Sequence, residues 1–199
     1  AYKLVGFHDL DLQVHNSWIF FPFHRWYLYF YERNLRSLIN DPTFAIPFWN
    51  WDSPHGVQLP SIYANPASPL YDTLRDANHQ PPTLVDLNFN ENPNVDGNIS
   101  TNLTIMYRQV VSNGRTPTLF LGNAYPAGDE PSLGAGSLEN VPHGPLHLWT
   151  GDSNQPNFED MGSVYSAARD PIFYSHHSNV DMIWSIWKKT LGGRKTVCL

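Results

Sequence analysis

Residues 12–32 read L-Q-V-H-N-S-W-I-F-F-P-F-H-R-W-Y-L-Y-F-Y-E. In their second half, and on through residue 40, the spacing predicts a helix: His24, Leu28, Tyr31 and Leu35 fall at i, i+4, i+7 and i+11 and share one face. Asp41-Pro42 ends it. His15 and His24 are nine residues apart, about 900° of rotation in one unbroken helix, which would put them on opposite faces. Pro22 argues against that continuity. His15 therefore belongs to the approach and His24 to the helix proper, and the bend between them can bring both rings to one point. Trp18, Phe20, Phe21, Phe23 and Trp26 would then form a dry shell. By spacing alone, an aromatic core with two incidental histidines is the favoured reading.

Working outward, a second strong helix opens at Asp170-Pro171. Asp is a good N-cap and Pro fits the first helical position. It is expected to run to about Leu191, where Gly192-Gly193 stops it. Between the two helices, residues 43–135 hold most of the 17 Pro, with many Gly, Asn and Asp. That composition favours turns and long irregular connections, in which Leu103–Val111 is expected as a short helix and Thr118–Leu121 as a short strand. Phe44, Phe48, Trp49 and Trp51 make the start of this middle too apolar for a free linker.

The chain has 199 residues, 41% of them hydrophobic, enough for one domain or a large part of one. Twelve Lys+Arg against 18 Asp+Glu give a net charge of −6, and no basic stretch exists to neutralise phosphates. The 7 Trp, 10 Tyr and 11 Phe are too much apolar surface for a disordered chain. No apolar run reaches the ~18 residues of a membrane helix. Cys198 is the only cysteine, which excludes a disulfide scaffold. Ala1-Tyr2-Lys3 carries no initiator Met, signal or transit peptide, and nothing closes the C-terminal end. Both ends read as cut, with any targeting segment outside this sequence.

Chemistry concentrates in the nine histidines. His143 and His147, in V-P-H-G-P-L-H, are about 400° apart on a helix, so both rings leave nearly one face. Pro142 and Pro145 are tolerable only in a first turn. The pair reads either as a chelate for a transition metal or as two ordinary histidines. His176 and His177 project about 100° apart, so one can face a metal while the other packs. Asp181, four beyond His177, would orient a ligand or form an exposed pair. His8, His55 and His79 stand among loop residues and are read as solvated. Imidazoles without a thiolate cluster suit Zn, Cu, Fe or Ni. Gly144-Pro145-Leu146 lacks the glutamate of a zinc hydrolase helix, and five or more imidazoles from two distant segments fit a dinuclear site better.

At these residues the sequence resembles the type 3 dicopper (tyrosinase) family, and within it the plant polyphenol or catechol oxidases. Residues 12–32 and A-I-P-F-W-N-W-D (45–52) resemble the first-copper motif. E-N-V-P-H-G-P-L-H-L-W-T-G (139–151) resembles the start of the second, and D-P-I-F-Y-S-H-H-S-N-V-D-M-I-W (170–184) its end. The resemblance implies a mainly α fold, a four-helix-bundle dicopper core with long irregular loops and little β. It makes residues 1–199 a partial copper-binding domain. It implies His15 and His24 as ligands of one copper ion and His143, His147 and His177 as ligands of the other. The third histidine of the first site, followed in the family by a cysteine, would fall upstream of Ala1, and a C-terminal shielding domain is absent.

The activity implied is oxidation of o-diphenols to o-quinones with O2, with O2 and small phenols as partners, in a plastid (thylakoid-lumen) setting. Nucleic acid is no expected partner, and oligomeric state is open. Two other readings stand beside it: a non-catalytic fragment with an incomplete first copper site, and a dioxygen carrier like the haemocyanins. Glu139 matches a family glutamate that holds a water near the metals, although a solvated turn carboxylate is an equal reading. Gly144 and Leu148 follow copper histidines and would border the substrate entrance. Gly144 brings no side-chain amide, which favours diphenols over monophenols. Val164 occupies a place where plant relatives often carry a Phe gate. Asn98-Ile-Ser100 and Asn102-Leu-Thr104 are sequons that plastid residence would leave unmodified.

Overall fold

The computed structural model describes residues 14–89, 97–124, 126 and 134–192, and within them the protein is helical with no strand. The elements are α1 (Phe20–Ile39), the single turn α2 (Ser61–Ala64), α3 (Ile99–Met106), α4 (Pro117–Leu121), α5 (Gly144–Thr150) and α6 (Ile172–Thr190). Two isolated antiparallel bridges, Arg75 with Gly151 and Gly122 with Ala135, are the only extended pairing among the described residues. His8 and Cys198 lie outside the described residues.

The long helices α1 and α6 pack against each other and form the frame. Helix α1 starts at Phe20, so Pro22 falls in its first turn, where a missing N–H costs nothing. Of the predicted stripe, His24 and Leu28 are buried while Tyr31 and Leu35 are half-buried, and Phe20, Phe21 and Tyr27 complete the inward face. Asn40 ends the helix in the left-handed region (φ 54°), its N–H bonded to the Arg36 carbonyl. The start of α6 is held by Asp170, whose Oδ1 accepts the Ile172 N–H at 2.8 Å. Helix α6 runs through Thr190, as expected.

The irregular middle is a strap across α6. The Trp49 N–H reaches the Ser175 carbonyl at 2.9 Å, Asn179 Nδ2 donates to Asp52 Oδ1 at 2.8 Å, and the Tyr63 and Ser175 hydroxyls pair at 2.5 Å. Trp49 and Trp51 are buried, which is why this segment carries aromatics. The firmest tie is the buried fork of Arg75 on Asp170, Nε to Oδ2 at 2.8 Å and Nη2 to Oδ1 at 2.6 Å. Arg75 also donates to the Tyr63 and Leu70 carbonyls. At the far end, Trp187 stacks on Phe120 at 4.2 Å and gives its indole N–H to Gly114.

Three expectations are corrected. Thr118–Leu121 is not a strand but part of α4, because Thr116 caps the Leu119 N–H and Pro117 takes the first helical position. The Leu103–Val111 helix begins earlier, at Ile99, capped by Asn98, and continues as a π turn over Tyr107–Ser112. His79 is not solvated: its ring lies flat on Trp149 at 4.6 Å. His55 is exposed, as read. Of the two sequon asparagines, Asn102 is buried and ties Val85 O and Leu87 N, a packing role.

Removing Arg75 would leave the Asp170 carboxylate buried without its counter-ion. Arg75→Ala is expected to lower the unfolding free energy by about 3–5 kcal/mol, measured by urea denaturation. A loss below about 1 kcal/mol would show the fork to be dispensable.

Candidate metal centre

The structure gathers the predicted histidines at one point. His15, on the approach to α1, lies 5.3 Å from His24, ring centre to ring centre. His143 and His147 are 4.7 Å apart. Across the interior, His15 is 6.1 Å from His143, His24 is 4.2 Å from His177 with the rings stacked, and His143 is 5.0 Å from His177. His147 Nε2 and His177 Nε2 are 3.3 Å apart.

Local backbone explains the inward turn of His143. Residues Glu139–His143 form a single π turn that runs directly into α5, with Val141 out of helical geometry. Pro142 lies inside that turn, directly after the non-helical Val141, and Pro145 in the first turn of α5, where a missing N–H is tolerated.

Three rings are oriented by backbone carbonyls. His24 Nδ1 faces Phe20 O at 2.7 Å, His143 Nδ1 faces Glu139 O at 3.1 Å, and His147 Nδ1 faces Met161 O at 2.8 Å. A carbonyl can only accept, so Nδ1 carries the proton in each and the lone pair is on Nε2. His143 Nε2 is buried and has no hydrogen-bond partner. An imidazole with its N–H tied to a carbonyl and its other nitrogen bare is the arrangement of a metal ligand. Burial pushes the His143, His176 and His177 rings well below the usual histidine range, with the neighbouring imidazoles adding to the effect. They stay neutral and keep their lone pairs. Phe20 at 4.6 Å from both His24 and His143, and Phe173 at 4.2 Å from His177, form the dry wall. The residues present therefore fit a transition metal, with imidazole as the donor.

Reasoning from spacing expects only one of His176 and His177 to face the centre. The structure brings both: one nitrogen each from His143, His147, His176 and His177 lie within 4.8 Å of one another. His176 is fully buried, stacked on His143 at 5.3 Å and beside Trp51 at 5.8 Å, and neither of its nitrogens has a hydrogen-bond partner. Helical rotation counts only directions from one axis, and the segment 139–147 wraps far enough round α6 to meet two of them. Asp181 does not serve His177; it pairs with Arg25 at 2.6 Å.

A cavity of about 300 Å³ opens beside His15, His143 and His147, and the expected Gly144, Leu148 and Val164 all line it. Val164 is 57% exposed. Glu139 is not a solvated turn residue. It is 5% exposed, Oε1 accepts the Asn16 N–H at 2.6 Å, and Oε2 has no partner. Burial raises its carboxyl to about 7, against the lowering effect of the Asn16 and Gly136 backbone N–H groups.

The comparisons agree with this geometry. Residues 1–190 match the family model described as the common central domain of tyrosinase. "Polyphenol oxidase A1, chloroplastic" of Vicia faba is 71% identical over 198 residues, 98% of this chain and 32% of its own length. The solved structure of latent apple tyrosinase superposes with a TM-score of 0.89 at 60% identity, covering 98% of this chain and 46% of that one. A structure of active aurone synthase, a polyphenol oxidase whose description names a copper B, has a TM-score of 0.86 at 48% identity, covering 96% and 58%. The chain spans about a third of the length of the curated relatives it matches.

In the metal-free chain the Glu139 carboxyl has a titration consequence. Its folded value, about 7, lies above the ordinary carboxylate value of 4.5. The folded state therefore holds a proton that the unfolded state has lost, and stability falls as pH rises through that window. Glu139→Gln removes this dependence. Its stability relative to wild type should rise by up to roughly 1.4 kcal/mol per pH unit between about 4.5 and 7, then level off. Urea denaturation of both proteins at several pH values measures it; parallel curves would place the carboxyl at an ordinary value.

Proposed function

The chain belongs to the tyrosinase family, and from that premise we propose that residues 1–199 are the partial copper-binding domain of a plastid polyphenol oxidase, an enzyme that oxidises o-diphenols to o-quinones with O2. The observation that carries this is the convergence of His15, His24, His143, His147 and His177, three of them with Nδ1 tied to a backbone carbonyl. Copper is the metal that family membership and the histidine cluster support. We propose two ions, one toward His15 and His24 and one held by His143, His147 and His177. The thylakoid lumen is the proposed compartment.

Copper, when bound, supplies the redox chemistry: two electrons leave each catechol, and O2 is reduced to water. The protein fixes the ligand nitrogens through carbonyls of three different segments, so the rings need no reorganisation during turnover. Phe20 and Phe173 exclude water around the histidines. A phenol entering the cavity passes Val164 and Leu148 and meets the edge of the histidine cluster. Glu139, with Oε2 free and a carboxyl poised near neutrality, would take a phenolic proton directly or through a water. Gly144 adds no amide of its own to that water, and o-diphenols are the proposed substrates over monophenols.

One observation favours a narrower alternative, a chain that holds a single ion. The tightest group of donors among the described residues is His143, His147, His176 and His177, without His15 or His24. Copper reconstitution followed by metal analysis separates the two. About two ions per chain, with O2 consumed on adding catechol, supports the proposal. One ion and no O2 uptake supports a non-catalytic core. Copper bound with reversible O2 uptake in the absence of catechol would indicate a carrier.

Val164→Phe tests the entrance. The larger ring should raise KM for a bulky substituted catechol by roughly tenfold while changing that for catechol itself much less. Equal effects on both would remove Val164 from the substrate path.

A further inference from the structure

One polar side chain of the cavity has no part in the chemistry described so far. Imidazoles aside, the described residues of the cavity wall are glycine, proline, leucine, methionine and valine, with a single exception, Asn140. Its backbone is held by the Gly136 carbonyl at 2.9 Å. Its side chain is exposed, and its amide has no hydrogen-bond partner among the described residues. Glu139 and Asn140 are neighbours on one tight turn and project in different directions, so burying Glu139 sends Asn140 toward the cavity.

Gly144 supplies the room. At Gly56 and Gly136 a Cβ would collide with backbone atoms at 1.8 and 2.0 Å, so packing demands glycine there. At Gly144 a Cβ would meet only the Glu139 carbonyl at 3.8 Å, an ordinary contact. Its backbone is ordinary helix, φ −57° and ψ −53°. Neither packing nor backbone requires glycine at this position, and its missing side chain enlarges the cavity that Asn140 lines. Among the described residues no charged side chain lines the cavity, so a charged group on a substituent directed away from the histidines would lose water without gaining a side-chain counter-ion.

We propose that this cavity is a subsite for a ring substituent, and that it selects catechols whose substituent ends in a neutral carbonyl group, with Asn140 Nδ2 donating the hydrogen bond. This rests on the o-diphenol oxidase reading and names its substrate class. The substituent crosses the space left open at Gly144, while the diol faces the histidines. An amide or ester group matches Asn140 in both charge and hydrogen-bonding capacity; an alkyl chain of equal length fills the same space and leaves the amide unmatched.

The test uses the copper-reconstituted chain and two catechols of matched length, the amide of 3-(3,4-dihydroxyphenyl)propanoic acid and 4-butylcatechol. Wild type should prefer the amide in kcat/KM. Asn140→Leu should reduce the amide-to-alkyl ratio by about threefold to tenfold, mostly through KM of the amide. Asn140→Asp, which loses the donor and brings a charge, should reduce it as well. A ratio that stays within about twofold of wild type in Asn140→Leu overturns the proposal. If wild type oxidises neither catechol, the oxidase reading has failed, and the subsite is judged by binding alone. Calorimetry of the zinc-loaded chain with 3-phenylpropanamide should then show weaker binding in Asn140→Leu, and equal binding overturns it.

Discussion

A set of uncharged imidazoles packed in an aromatic interior is the constraint from which the rest of the structure follows. Protonation of any of His143, His176 or His177 would put an unbalanced charge among Phe20, Phe173 and Trp51, so the interior holds them neutral. Neutral imidazole still has one N–H to satisfy. For His24, His143 and His147 a backbone carbonyl accepts the hydrogen bond from that N–H, and the choice of carbonyl decides which nitrogen faces inward. Donor geometry is thus written into main-chain positions, and the irregular segments that supply those positions are part of the site.

Seen this way, the long Pro- and Asn-rich middle has a mechanical purpose. Two long helices alone would leave the histidines of α6 free to rotate or slide. The Arg75–Asp170 fork, the Trp49 contact to Ser175 and the Asn179–Asp52 bond hold α6 on the sides facing away from α1. The π turn at 139–143 performs the same service for His143 and brings Glu139 inward with it.

Much of this was legible in the residues, and the parts that were not share a cause. The two long helices showed themselves through periodicity and capping, because α1 and α6 each bury one stripe. Pro22, a local steric fact, allowed the rings of His15 and His24 to meet, as they do, but spacing favoured two incidental histidines and only the family resemblance implied a role as ligands. The family resemblance supplied the pairing of distant segments, which spacing alone could not. Thr118–Leu121 was misread because apolar character outweighed the Thr116-Pro117 start signal in a stretch too short for either period to develop. That His79 reads as solvated from sequence, and Glu139 as either a site residue or a solvated carboxylate, has a different reason. Their sequence neighbours are polar, and burial comes from residues far along the chain, Trp149 for His79 and the Asn16 region for Glu139. His176 needed the three-dimensional course of residues 139–147, which no one-helix projection contains.

The fork on Asp170 has a consequence for how this polypeptide tolerates changes in length. Asp170, clamped by Arg75, stands just ahead of the helical rod that begins at Ile172, and the two imidazoles lie less than two turns along that rod. One residue inserted there would swing both rings by about 100° while the clamp stays put. Changes in length are expected to be tolerated better in stretches such as 66–68, whose side chains are mostly outside the core, and the spacing from the clamp to the two imidazoles behaves as a fixed ruler.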